Sequence, residues 1–193
     1  MEIIRIKHRD FTLIENVSEN SFIMEYKNKK YFVRKFVPKS EEGEELTFAM
    51  ERLSVSGVRI PKLRWIDKKA GYVVSDYIEG VTVMEYLSKN EMTEDLYDQL
   101  FKNAYRAKIR GMTLNYEIDK WMISNGELVY VHPIFIIYKK EKDLVDRYLR
   151  LWFDTKELAE FMDKNGVFYD KTRIKTEYLT NKHIVLMTCK YYR

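Results

Sequence analysis

The sequence has few of the residues that staple or sharply bend a chain. A single cysteine, Cys189, excludes an internal disulfide and leaves no second thiol for a cysteine metal site. That usage fits a reducing compartment. There are only seven glycines and three prolines, and no glycine occurs before Gly43. No apolar run approaches the roughly 18 residues of a membrane span. The start, Met1-Glu2-Ile3-Ile4-Arg5, has neither an apolar core segment nor a small-residue cleavage site, so the expected location is cytoplasmic. Charge of one sign is also scarce: Lys+Arg 34 against Asp+Glu 30 gives +4, too little to argue for nucleic acid. No internal repeat or low-complexity stretch is present.

What remains is ample for a packed core. Of 193 residues, 46% are hydrophobic and 15% aromatic, which excludes a disordered chain. The Lys-, Glu-, Tyr- and Ile-rich composition is that of a heat-adapted source. Strands are expected at Phe11–Ile14, Ser21–Tyr26 and Tyr31–Val37, the last ended by Pro38, making an antiparallel meander. From Glu41 to Leu53 the period changes, with Leu46, Met50 and Leu53 on one helical face and glutamates in the first turn. Two more strands, Leu63–Ile66 and Tyr72–Ile78, are joined by the turn Asp67–Gly71.

After Glu79-Gly80 the pattern becomes helical. Thr93 is a candidate N-cap for a helix carrying Leu96, Leu100, Ala104 and Ala107. Trp121–Ile123 and Glu127–Val131 flank Ser124-Asn125-Gly126, a hairpin signal. A helical stripe is expected over Asp143–Phe153. Asp154-Thr155-Lys156-Glu157 has capping-box spacing, with Asp154 as the cap of a helix ending near Asn165-Gly166. Ile184–Met187 fits either a strand or a buried helical turn. Lys139-Lys140-Glu141-Lys142 reads as an exposed helix start, and Tyr191-Tyr192-Arg193 as aromatics packing on the domain.

This order of elements, with Gly57-Val58-Arg59-Ile60-Pro61 and Asp76-Tyr77-Ile78-Glu79-Gly80, resembles the protein-kinase-like superfamily. It looks like the small, divergent branch that includes the lipopolysaccharide heptose kinases and RIO-type kinases, with their "G-V-x-x-P" step and "E-Y-I-E-G" hinge. The resemblance covers roughly residues 10 to 162. It implies an α+β, protein-kinase-like fold: a five-stranded antiparallel N-lobe with one helix over residues 1–78, and a shortened helical C-lobe over 79–193, together one bilobal domain. It further implies that Lys35 is the strand lysine that holds nucleotide phosphates, with Glu45 (less well Glu44) as its helix partner. Phe22 takes the aromatic position at the tip of the phosphate-covering loop, and Tyr77 and Ile78 line the nucleotide base.

The same frame carries three replacements. Thr113-Leu114-Asn115-Tyr116-Glu117-Ile118-Asp119-Lys120-Trp121-Met122 falls where that branch has its catalytic loop, and Val131-His132-Pro133 falls where its metal-binding aspartate lies. In one gapless register the catalytic aspartate is Asn115, the magnesium-binding asparagine Lys120 and the metal-binding aspartate His132. Magnesium takes hard oxygen ligands in octahedral geometry, which a lysine ammonium and an imidazole do not supply. An asparagine cannot accept a hydroxyl proton as a carboxylate does. Val17-Ser18-Glu19-Asn20-Ser21-Phe22 has no glycine to let backbone approach phosphate. The expectation is a pseudokinase that binds a protein partner, or a nucleotide such as ATP without magnesium. Two alternatives remain. One is a phosphotransferase with its metal relocated to Asp119 or Glu117; the other is an unrelated α+β interaction module.

Overall fold

The structure, a computed structural model, describes residues 2–175 and 182–192. The chain divides into two compact units, Met1–Val55 with Ile60–Glu79, and Ser56–Arg59 with Gly80–Arg193.

The first unit is a curled antiparallel sheet with one helix. Its strands are β1 (Ile3–Ile6), β2 (Arg9–Ser18), β3 (Ser21–Tyr26), β4 (Lys29–Lys35), β5 (Leu63–Asp67) and β6 (Tyr72–Asp76), in the order β1-β2-β3-β4-β6-β5. The five expected strands are all present, and β1 adds a sixth at one edge. Two apolar layers form because both faces of β4 are covered. On one face Tyr31 and Val33 join Ile6, Phe11, Met24 and Val74, flanked by Phe22, Trp65 and Tyr72. On the other, Phe36 and Val73 pack with Met50 of helix α1 (Glu41–Ser54). Ser40 caps α1 by accepting from the Gly43 amide, and Glu41, Glu42 and Glu44 lie in its first turn, where the helix dipole favours them. A Cβ on Gly43 would come within 2.4 Å of the Phe36 ring, so glycine lets the helix start directly on the strand end.

The second unit is mainly helical. Helix α2 (Val83–Lys89) opens on a Thr82–Glu85 capping box, and α3 (Glu94–Ile109) is capped by Thr93, as the sequence indicates. The predicted hairpin is strands β9 (Trp121–Ser124) and β10 (Glu127–Tyr130), extended by β7 (Val81–Thr82). Asn125 and Gly126 both have positive φ, 51° and 76°, the signature of a tight two-residue turn. A second small sheet pairs β8 (Met112–Leu114) with β11 (Phe135–Ile137).

Residues 143–153 depart from the expected regular helix. Leu144–Tyr148 is a π-helical turn running into a 3₁₀ segment, Leu149–Trp152. Helix α4 (Lys156–Lys164) is capped by Thr155 and not by Asp154, because Asp154 turns inward to an ion pair. Lys140–Lys142 is one 3₁₀ turn. Ile184–Met187 lies in helix α5 (Lys182–Tyr192), which settles the strand-or-helix ambiguity. Tyr191 packs 5.5 Å from Tyr105 and Tyr192 6.1 Å from Phe101, while Arg193 lies outside the described residues.

Helix α5 is also tied down by a buried carboxyl. Asp143, 1% exposed, accepts from the Leu144 amide at 2.8 Å, Tyr138 Oη at 3.1 Å and Tyr192 Oη at 3.2 Å. Burial pushes its pKa up, against hydrogen bonds and Lys108 that pull the other way. The folded protein therefore holds a proton here more tightly than the unfolded chain does. That contribution is complete below the ordinary aspartate range, about pH 4, and fades as pH rises through the raised value. Asp143→Asn should flatten the pH dependence of urea unfolding above about pH 4, leaving other slopes intact.

Candidate functional site

The segment from Thr113 to His132 is built on buried aromatics. Strand β8 is fully buried, and the chain leaves it at Asn115. Three tethers fix the next residues. The Asn115 amide donates to Tyr130 Oη at 3.2 Å, and that hydroxyl donates to the Ile134 carbonyl at 2.6 Å. Trp121 Nε1 donates to the Asn115 carbonyl at 3.0 Å, and Trp152 Nε1 to the Tyr116 carbonyl at 2.9 Å. Tyr116, Trp121 and Trp152 have no exposed surface, so the loop stands on a closed aromatic floor.

On that floor the three replaced positions have distinct surroundings. The Asn115 carboxamide closes on its own loop: Oδ1 accepts from the Glu117 amide at 2.9 Å, and Nδ2 donates to Glu117 Oε2 at 3.1 Å. Asparagine suits this turn because it offers an acceptor and a donor at once. Lys120 Nζ lies 2.5 Å from Asp119 Oδ2, both side chains about a quarter exposed, so the charge at 120 is neutralised by the residue before it. The other Asp119 oxygen, Oδ1, is buried without a hydrogen-bond partner. His132 is half-buried, its ring 6.2 Å from Tyr130 and steeply inclined to it, and its carbonyl accepts from the Ile134 amide at 2.8 Å. Among the described residues, no three His, Cys, Asp or Glu side chains are grouped to hold a metal ion.

In the first unit the residues expected to bind nucleotide separate. Lys35 pairs across the sheet with Tyr72, which packs on the cluster around Phe11, so Lys35 points to the face away from α1. Glu45 is exposed on α1, and among the described residues no ion pair joins it to Lys35. The expected Lys35–Glu45 pair does not form, because strand alternation puts the two on opposite sides. The cation on the helix face is Arg34. It pairs across to Val73 and lies two residues from Phe36, both in the layer under α1, and its guanidinium sits 5.8 Å from the Phe32 ring.

Phe22 also departs from expectation. It pairs with Val33 and packs, half-buried, against the Phe11 layer, so its ring lies on the sheet and not at a loop tip. The loop it was meant to tip is a two-residue turn, Glu19-Asn20, between paired Ser18 and Ser21, and the Asn20 carbonyl accepts from the Lys35 amide at 2.9 Å. Tyr77 and Ile78 are half-buried after β6, with Lys30 Nζ 5.7 Å from the Tyr77 ring. Just before them Asp76 is held by Arg64, at 2.7 Å to Nε, and by Lys29 at 3.0 Å. Burial alone would raise the Asp76 carboxyl; the bonds from Arg64 and Lys29 outweigh it and hold it low.

No protein-family model matches the chain. Two curated proteins of Cryptococcus neoformans var. neoformans serotype D resemble it, both described as EKC/KEOPS complex subunit BUD32. The protein of strain B-3501A is 28% identical over 108 residues, 49% of this chain and 37% of that protein. The protein of strain JEC21 / ATCC MYA-565 is 31% identical over 83 residues, 36% of this chain and 29% of that protein. The chain thus matches about a third of the length of these relatives. This distant similarity, with the mixed α+β fold and its curled sheet, supports a kinase-like protein. No helix among the described residues is long and apolar enough to cross a membrane.

Proposed function

We propose that this kinase-fold protein does not transfer phosphate and acts by binding a protein partner, with any nucleotide held without metal. The observation that carries this reading is the occupancy of the Asn115–His132 segment. Its catalytic-aspartate position is an asparagine folded onto Glu117, and its metal-binding positions hold an ion-paired lysine and a histidine. Phosphoryl transfer rests on positioning and on cations placed between phosphates. On this reading Lys120, paired with Asp119, stands where such a cation would act. The relatives' description as subunits of a complex agrees with a role through a protein partner.

If a nucleotide binds, Arg34 is the side chain that contacts its phosphates in place of Lys35, since it alone of the two lies on the helix face. A guanidinium offers two parallel donors to phosphate oxygens and stays charged at any working pH. ATP hydrolysis and autophosphorylation should be undetectable with magnesium or manganese. Any thermal stabilisation by ATP should be the same with EDTA and should vanish in Arg34→Ala while persisting in Lys35→Ala. Metal-dependent turnover lost in Arg34→Ala would sink the reading.

One observation favours a second reading, a phosphotransferase with relocated metal. Asp119 Oδ1 is buried and unbonded, a carboxylate oxygen with capacity to spare. On that reading magnesium strengthens ATP binding, and Asp119→Asn removes the magnesium effect without removing ATP binding.

A further inference from the structure

Strand β11 shows a feature that the Asn115–His132 segment does not use. It pairs with β8 on one side, and among the described residues no strand lies on its other side. The Tyr138 amide donates to the Gly111 carbonyl at 2.8 Å, toward β8. Backbone groups alternate along an antiparallel strand, so the amide and carbonyl of Ile137 point outward. Its isoleucines are apolar and exposed. Ile134 is 48% exposed, Ile136 40% and Ile137 79%, with Ile109 at the nearby end of α3 at 58%. Soluble proteins usually blunt such an edge with charge or with proline inside the strand. Here the charge comes only after the strand, at Lys139, Lys140 and Lys142, with Glu141 as the single exposed acid among them. Among the described residues these three lysines make no ion pair. Lys108 adds a fourth cation, 5.8 Å from the Tyr138 ring.

We propose that β11 and the lysine run after it dock an extended segment of a partner polypeptide, aliphatic along the strand and rich in carboxylates beside the lysines. Main-chain hydrogen bonds to the open edge would supply affinity, the isoleucines would select aliphatic side chains, and the lysines would set register and direction. The open edge argues for this occupant over a lipid surface, because hydrocarbon leaves strand amides and carbonyls unsatisfied. Four exposed isoleucines argue for it over nucleic acid, which would use the lysines and leave the apolar side chains in water. The proposal stands apart from the loss of catalysis: it holds whether or not the Asn115–His132 segment transfers phosphate.

The test uses the full chain and a panel of labelled synthetic peptides of strand length, aliphatic at alternate positions with aspartate or glutamate at one end. Controls are the same peptides with lysine for the acids, and with alternate backbone amides N-methylated. Fluorescence anisotropy should show salt-dependent binding of acidic-aliphatic members only. Reversing Lys139, Lys140 and Lys142 to glutamate should weaken binding roughly 100-fold, and Ile137→Asp at least about tenfold. Melting curves check that both variants stay folded, as expected for exposed positions. Amide exchange should slow at Ile137 on binding. Four results would overturn the idea: no binding by any panel member, N-methylated peptides binding as well as their parents, wild-type affinity in the variants, or tighter binding to phosphatidylserine vesicles or single-stranded RNA.

Discussion

Trp121→Ala should cost about 4 kcal/mol in urea unfolding, the expected range for emptying a fully buried large aromatic site. Trp121 is wholly buried among Tyr116, Tyr130 and Trp152, with ring centroids 6.1, 4.8 and 5.8 Å away. Its Nε1 also holds the Asn115 carbonyl, so alanine removes packing, aromatic contacts and a tether together. Against a domain stability of about 5–15 kcal/mol, this is about a quarter or more of the total. Trp121→Phe separates the parts: it keeps most of the ring and loses the hydrogen bond, so it should cost only about 1–2 kcal/mol. Amide exchange at Asn115 to Lys120 should quicken in both variants, because both free the Asn115 carbonyl. If Trp121→Phe left exchange there unchanged, the indole would be a core filler and not a support for the loop.

Why some features were legible in the sequence, and others were not, follows from the period of each signal. The hairpin around Asn125-Gly126 and the helix capped by Thr93 carry local chemistry, a turn needing positive φ or a hydroxyl facing an amide, so a few residues suffice.

Arg34 and Lys35 were not separable. Alternation says only that two neighbours face opposite ways, and on β4 both faces carry apolar residues, Tyr31 and Val33 on one and Phe32 on the other. The deciding residue is Phe36, whose contact with Met50 and close approach to Gly43 mark the helix face. Phe22 was misplaced for the same reason, since the strand faces were not yet assigned. Asp154 looked like a cap because its spacing to Glu157 fits; the partner that draws it away, Arg173, is 19 residues on. Such a long-range ion pair leaves no periodic trace.

That ion pair yields the other large effect. Asp154 is 6% exposed and accepts from Tyr169 Oη at 2.6 Å and from Arg173 Nη2 at 2.9 Å. Arg173 also donates to the carbonyls of Leu87 at 3.0 Å and Asn90 at 2.7 Å, so one guanidinium closes the end of α2 onto the start of α4. Arg173→Ala should cost about 3 kcal/mol, because it leaves the buried Asp154 carboxyl with only the Tyr169 hydroxyl and the longer ion pair to Lys175 Nζ at 3.8 Å, and Arg173→Lys should recover little since a single ammonium cannot reproduce the fork. Replacing both partners with Asp154→Leu and Arg173→Met should cost less than Arg173→Ala alone, a reversal expected when a buried charge loses its main partner. The consequence reaches the candidate site. Two residues before Asp154, Trp152 bonds the Tyr116 carbonyl through its indole and accepts from Tyr97 Oη at 2.8 Å through its own carbonyl. Loosening Asp154 should therefore also speed amide exchange from Asn115 to Lys120, and Arg173→Ala should resemble Trp121→Ala there. Fast exchange confined to residues 165–175 would show instead that the anchor serves that segment alone.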